Sequence, residues 1–175
     1  RVMAEISKQL GKDGNVYRQE YEKLTAAIEK FFWDEEKGAY IDSFTSGKRN
    51  VTRHANIFAI LFDIADKQKQ EKILTNVLEN DEIPAITTPY FNFFELDVLC
   101  QMGKLTEVLD KIRSYWGGML DLGAVTFWEE YDPSVPKEEQ YDMYGDHFGK
   151  SLCHAWAASP IYFLAKYFAG LGLFK

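Results

Sequence analysis

The chain reads as an all-α protein. Apolar residues recur at helical spacing in segment after segment, no stretch convincingly alternates with period two, and Gly or Pro stands where most segments begin or stop. Tyr17, Tyr21, Leu24, Ile28, Phe31 and Phe32 form a first stripe. It ends before residues 34–38, a charged connector in which Asp34, Glu35 and Glu36 look solvated. Ala55, Phe58, Leu61, Phe62 and Ala65 mark a second, short and apolar helix, and residues 69–78 carry Ile73, Leu74, Val77 and Leu78 on one face. Pro89 suits the first turn of the next helix, where a missing N–H does no harm; Phe91, Phe94, Val98, Leu99 and Met102 follow, and Gly103 ends it. A fifth stripe, Leu105, Val108, Leu109, Ile112 and Trp116, is expected to stop at Gly117-Gly118. The last helix is expected over about 151–168, kinked or split by Pro160 and closed by Gly170. Mostly apolar helices alternating with more amphipathic ones fit helical hairpins in two layers, and no 34-residue period marks a solenoid.

Composition narrows the function. At 175 residues the chain fits a single domain, residues 1–175, with a sizeable core. A net charge of -7 and a pI near 5.0 disfavour nucleic acid as a partner, since that role needs clustered Lys and Arg. No apolar run approaches the roughly 20 residues that span a bilayer, and no signal peptide opens the chain, so no membrane partner is expected. Because it starts at Arg1, the chain is expected to be a piece of a longer protein. Its compartment stays unknown, a periplasmic or extracellular one being compatible with the full-length protein. Cys100 and Cys153 lack CxxC spacing and read as core thiols. Three His, among them His147, without HxxxH spacing make a metal improbable, and no cofactor is expected.

The chemistry concentrates in a long loop, about 120–150, and within it in residues 126–132, Thr-Phe-Trp-Glu-Glu-Tyr-Asp. Sugar rings have apolar faces that stack on Trp and Tyr, while their hydroxyls and glycosidic oxygen need carboxylates as acceptors, acids and bases. A solvated acidic loop anchored by aromatic side chains would read the same way.

Three stretches lift that ambiguity. Ile86-Thr-Thr-Pro-Tyr90 through Glu95-Leu, then Tyr115-Trp-Gly-Gly-Met119 through Thr126-Phe-Trp-Glu129, then Gly149-Lys-Ser-Leu-Cys-His-Ala-Trp156, resemble the C-terminal half of an alpha-L-rhamnosidase catalytic domain, glycoside hydrolase family 78. The resemblance covers about residues 50–172, with Arg53-His-Ala-Asn56 similar to an inner-helix motif of six-hairpin glycosidases. It implies part of an (α/α)6 barrel and inverting hydrolysis of a terminal sugar. The Glu of the family's Trp-Glu motif, its general base, maps onto Glu129, with Glu130 as the adjacent competitor; on a regular backbone only one of the two faces the pocket. His154 matches a family His that contacts the sugar. The family's general acid lies upstream in an Asp-x-x-x-x-Glu motif that nothing here matches, so the isolated chain is expected to be inactive.

Other candidates are weighed on their chemistry. Trp128 and Trp156 are either sugar-stacking platforms or packing between helices, and Tyr90 could hydrogen-bond at a pocket mouth. Tyr115 and Trp116 would brace the loop that bears Glu129. Arg53 could pin a carboxylate, with Asp132 as its partner or as a helper at Glu129. His54 and Asn56 either line the pocket or bond neighbouring backbone. The expected partner is a carbohydrate, and an open half-barrel could also self-associate. Two rivals remain: an unsaturated glucuronyl hydrolase, which needs a cationic cluster for its uronate, and a non-catalytic carbohydrate-binding or protein-interaction domain.

Overall fold

A computed structural model describes residues 1–171; the expected ends of the domain at 175 and of the resemblance at 172 lie outside the described residues. The chain is mostly helical and forms two compact units, Arg1–Pro84 and Ala85–Lys175. The first unit holds α1 (Val2–Gln9), α2 (Asn15–Phe32), a short antiparallel hairpin of β1 (Trp33–Asp34) and β2 (Ala39–Tyr40), α3 (Arg53–Leu61), and α4 (Lys67–Ile73), which runs into a π-helical turn, Leu74–Leu78. The second holds α5 (Pro89–Gln101), α6 (Leu105–Asp121), single turns of 3-10 helix at Lys137–Glu139 and Ala155–Ala157, and α7 (Ser159–Phe163), which continues as a π-helical turn, Leu164–Phe168. Among the described residues no helix is long and apolar enough to cross a membrane.

In the first unit α3 packs on β2 and on the π turn. Its core is Tyr40, Ile41, Ile57, Ile73 and Val77, each at most 2% exposed. Asn56, fully buried on α3, accepts from the Tyr40 N–H (2.8 Å) and donates to the carbonyls of Tyr40 and Thr52 (2.9 Å each), which ties the hairpin to the start of the helix. Of its two readings, bonding of neighbouring backbone is the one observed. The Arg53 guanidinium donates to the carbonyls of Leu78 (2.7 Å), Asn80 (3.2 Å) and Ile83 (3.4 Å). Carbonyls at a helix C-terminus lack intrahelical donors, and a planar cation there satisfies several at once.

The connector at 34–38 is not uniformly solvated. Asp34 is buried; it accepts from the Lys37 N–H (3.1 Å) and from Arg49 Nε (2.7 Å), and these bonds hold its carboxyl below the ordinary range. Gly38 closes the turn at φ 59°, a conformation that favours glycine, and a Cβ there would push the Asn76 side-chain amide aside. The hairpin is too short for period-two alternation to announce it. The stripe on α2 is periodic as expected, yet no residue of that helix is buried, and Leu24 is 61% exposed.

In the second unit α5 packs on α6 and α7, with Leu96, Val98, Val108 and Phe163 fully buried, each worth roughly 1.5–3 kcal/mol. Glu95, 1% exposed, meets Lys111 at 2.5 Å across the α5–α6 contact. Pro89 occupies the first turn of α5, and Gly103 at φ 77° follows its end. Three expectations are corrected. Gly117 and Gly118 do not stop α6; the helix runs through both to Asp121, and Gly123 at φ 93° follows. Gly118 serves close approach instead, since a Cβ would stand 2.3 Å from the Tyr131 hydroxyl. Residues 151–154 are not helical, and Pro160, in the first turn of α7, starts a helix rather than kinking one. Cys153 is therefore exposed, whereas Cys100 is buried as expected and burial pushes its thiol up to about 11.

Replacing Asn56 with Ala strands the buried Tyr40 N–H and carbonyl. Equilibrium urea unfolding is expected to show a loss of about 2–4 kcal/mol.

Candidate active site

The loop between α6 and α7 has to satisfy its backbone without a helix or a sheet, and it does so by pairing with itself. The Glu129 N–H donates to the Ser151 carbonyl (2.9 Å), the His154 N–H to the Phe127 carbonyl (2.7 Å), and the Thr126 hydroxyl to the Leu152 carbonyl. The Thr-Phe-Trp-Glu and Ser-Leu-Cys-His segments thus lie side by side. Their neighbours anchor the pair. The Tyr131 N–H donates to the Thr87 carbonyl (3.0 Å) and to the Tyr115 hydroxyl (3.2 Å), which itself donates to Thr87 O (2.5 Å). Trp116 Nε1 donates to the Ala157 carbonyl (2.8 Å). Tyr115 and Trp116 brace the loop as their position suggested.

Glu129 is 7% exposed and ends this construction. Its Oε2 accepts from the Ser151 N–H (3.1 Å) and its Oε1 from the Tyr144 hydroxyl (2.8 Å), while His154 Nδ1 stands 3.8 Å from Oε2. Burial pushes this carboxyl up, but the Ser151 N–H, the Tyr144 hydroxyl, His154 and Lys150 outweigh it and hold Glu129 below the ordinary glutamate range. Each carboxylate oxygen keeps room for a further hydrogen bond, so a water molecule can be received there.

Glu130 points elsewhere. Its Oε1 accepts from the Thr87 hydroxyl (2.8 Å), and its Oε2 lies 3.9 Å from the ammonium of Lys150, a side chain only 4% exposed. Burial lowers Lys150, and the carboxylates of Glu130, Asp132, Asp142 and Glu129 offset only part of that. The two glutamates diverge as adjacent side chains must. Neither role expected for Asp132 is seen: its carboxylate accepts from the N–H (2.9 Å) and the hydroxyl (2.7 Å) of Ser134, closing a local turn. His147 meets Asp142 at 2.5 Å on the surface.

An aromatic wall continues from Glu129. His154 is in extended conformation, its ring centroid 4.0 Å from that of Trp156, and its Nδ1 is buried without a hydrogen-bond partner among the described residues. The Trp156 ring stands 5.4 Å from Tyr90, and the two residues are 45% and 44% exposed. Trp128, by contrast, is 3% exposed and meets Tyr141 edge-on at 5.6 Å. Packing, not sugar stacking, is its place. Arg53 and the half-buried His54 belong to the first unit. That unit has a cavity of about 710 Å³ whose lining includes Glu36, Asp42, Asn50, Asn76 and Asn80 but no aromatic ring, so it offers no stacking face.

Sequence reasoning overlooked Tyr144 and Lys150. Met143 and Asp146 exchange backbone hydrogen bonds (3.0 Å each) around Tyr144 at φ 55° and Gly145 at φ 81°, the positive φ pair of a two-residue type I′ hairpin. A bulky residue at such φ costs about 1–2 kcal/mol. The Tyr-Gly dipeptide was the available signal. No group of three or more His, Cys, Asp or Glu able to hold a metal occurs among the described residues.

In the unliganded protein a carboxyl-carbon NMR titration is expected to put Glu129 below the ordinary glutamate value, and Lys150→Met to move it upward by removing a positive charge. A depressed carboxyl also stabilises the folded loop above its unfolded pKa, a contribution lost as pH falls through its folded value.

The family profile described as the bacterial alpha-L-rhamnosidase 6 hairpin glycosidase domain matches residues 1–168, so the likeness reaches well upstream of residue 50, where the sequence motifs place its start. Among solved structures, a rhamnosidase from Klebsiella oxytoca with rhamnose bound is similar, with a TM-score of 0.77 and 32% identity over 88% of this chain. The chain spans only 29% of that protein's length. No curated protein matches significantly. With a mostly helical fold, a family profile over nearly its whole length and a rhamnosidase as structural neighbour, the chain belongs to the bacterial alpha-L-rhamnosidase six-hairpin glycosidase family.

Proposed function

We propose that the protein containing these residues hydrolyses terminal α-L-rhamnosides with inversion and without a cofactor, Glu129 acting as the general base. The observation that carries this reading is the pairing of a buried carboxylate, hydrogen-bonded in its ionised form, with the half-exposed rings of Trp156 and Tyr90. Glu129 takes a proton from water as the water oxygen attacks the anomeric carbon; the glycosidic C–O bond breaks, and its oxygen receives a proton from a second carboxylic acid. In inverting glycosidases the two carboxyls stand roughly 6.5–9.5 Å apart to admit that water. His154, between Glu129 and the Trp156 ring, contacts a sugar hydroxyl. Trp156 and Tyr90 offer faces to the apolar side of the sugar.

Glu130 does not serve as the second acid, because Thr87 and Lys150 already engage it. That acid comes from residues beyond these 175, in keeping with a segment that spans 29% of the solved rhamnosidase, and the isolated segment is inactive. A uronate-specific enzyme is less well supported. Arg53 donates to backbone carbonyls of its own unit, and Lys150 is buried among carboxylates.

In the full-length protein, Glu129→Gln is expected to lower hydrolysis of an aryl α-L-rhamnoside by about 10²–10⁴-fold, the usual worth of a general base, while Glu130→Gln costs far less. Azide needs no deprotonation. It should restore turnover to Glu129→Ala and give the β-rhamnosyl azide, identifiable by NMR. Equal losses in the two Gln variants, without azide rescue, would refute the assignment.

A further inference from the structure

We propose that Tyr144 is the positioning residue of the general base, its hydroxyl held on Glu129 by the type I′ hairpin of residues 143–146. This rests on Glu129 being the base. Three observations carry it. The Tyr144 hydroxyl donates to Glu129 Oε1 at 2.8 Å, opposite the Ser151 N–H on Oε2, so each oxygen of the carboxylate has one fixed donor and the plane of the group is set. Tyr144 itself is 79% exposed; packing does not account for its side chain. It also adopts φ 55°, a conformation that suits Asn, Asp or Gly, at a hairpin position where a residue of that kind would serve the turn better. A strained and exposed tyrosine whose hydroxyl hydrogen-bonds the base is accounted for by what it does to that base.

The hairpin is built to hold this placement. Gly149 lies where a Cβ would stand 2.1 Å from the Met143 carbonyl oxygen, so only glycine lets the chain pass the hairpin base at this distance. Gly145, at φ 81°, has open space around the missing Cβ, so a side chain there disturbs the backbone turn alone. The charged and titratable groups facing Glu129 are Tyr144 from the hairpin and Lys150 and His154 from the returning segment. Tyr144 is the member of this set that can be removed without emptying a buried position. With the hydroxyl in place, one lone pair of Oε1 is taken, and the remaining lone pairs are aimed in fixed directions for the attacking water.

The test uses the full-length hydrolase and Tyr144→Phe, which keeps the ring and deletes the hydroxyl. Losing a hydrogen bond to the ionised carboxylate raises the pKa of Glu129, so the acidic limb of kcat/KM is expected to move to higher pH, while kcat falls roughly tenfold. KM and the thermal unfolding midpoint should stay near wild type. Gly145→Val, which strains the turn without touching Glu129, should move the limb in the same direction. An unmoved acidic limb in Tyr144→Phe overturns the proposal, as does a rise in KM alone, which would make Tyr144 a sugar contact. Glu129→Gln run in parallel separates the failures. If it is inactive and the Tyr144→Phe limb has not moved, this proposal fails alone; if it keeps wild-type activity, the base assignment fails and takes this proposal with it.

Discussion

The constraint on which the second unit depends is the need of a long loop to bond its own backbone. Between the end of α6 at Asp121 and the start of α7 at Ser159, regular structure is limited to two single turns of 3-10 helix and the short hairpin of residues 143–146. The remaining donors and acceptors find partners across the loop, Glu129 with Ser151 and Phe127 with His154, and outside it on Thr87 just before α5. These bonds do two jobs. They let a largely irregular segment bond its backbone while lying against a packed core, and they bring a carboxylate and an imidazole from positions 25 residues apart to within 3.8 Å.

Once the backbone is paired, the division of labour between Glu129 and Glu130 follows from partners rather than from residue type. Both are glutamates, both are shielded, and both feel Lys150. Glu129 receives its donors from a backbone N–H and from an exposed hydroxyl, leaving lone pairs toward the aromatic wall. Glu130 receives a threonine hydroxyl and sits nearest the buried ammonium, which makes it part of the scaffold. Lys150 and Ser151, consecutive in the chain, hold one glutamate each: the lysine through its side chain, the serine through its N–H.

The first unit shows the same economy on a smaller scale. Polar side chains at the start of α3 are spent on backbone, Asn56 on the β2 strand and Arg53 on the carbonyls that follow the π turn. Each satisfies several groups that water cannot reach.

Helix periodicity, the Pro89 start and the Gly103 stop were legible in the residues, because local propensity and the apolar face act over a few neighbouring positions. Glu129 was singled out as a candidate base through its Trp-Glu context and the downstream Ser-Leu-x-His, and the structure shows it buried between the Ser151 N–H and the Tyr144 hydroxyl. What the sequence could not determine is every feature that depends on a contact between distant segments. Gly118 reads as a helix stop until Tyr131 is seen to lie over it. Asp34 reads as solvated until Arg49, 15 residues on, reaches it. Trp128 reads as a platform until its ring is buried against Tyr141. Tyr144 reads as one aromatic among many until its hairpin sets the hydroxyl on Glu129. By itself the sequence determined the helical character, the family and the carboxylate proposed to carry the chemistry; the tertiary structure alone decided which side chains stand beside that carboxylate. The physical reason is one of range. Propensity and periodicity are properties of adjacent residues, whereas a hydrogen bond between loop segments exists only after the chain has brought them together.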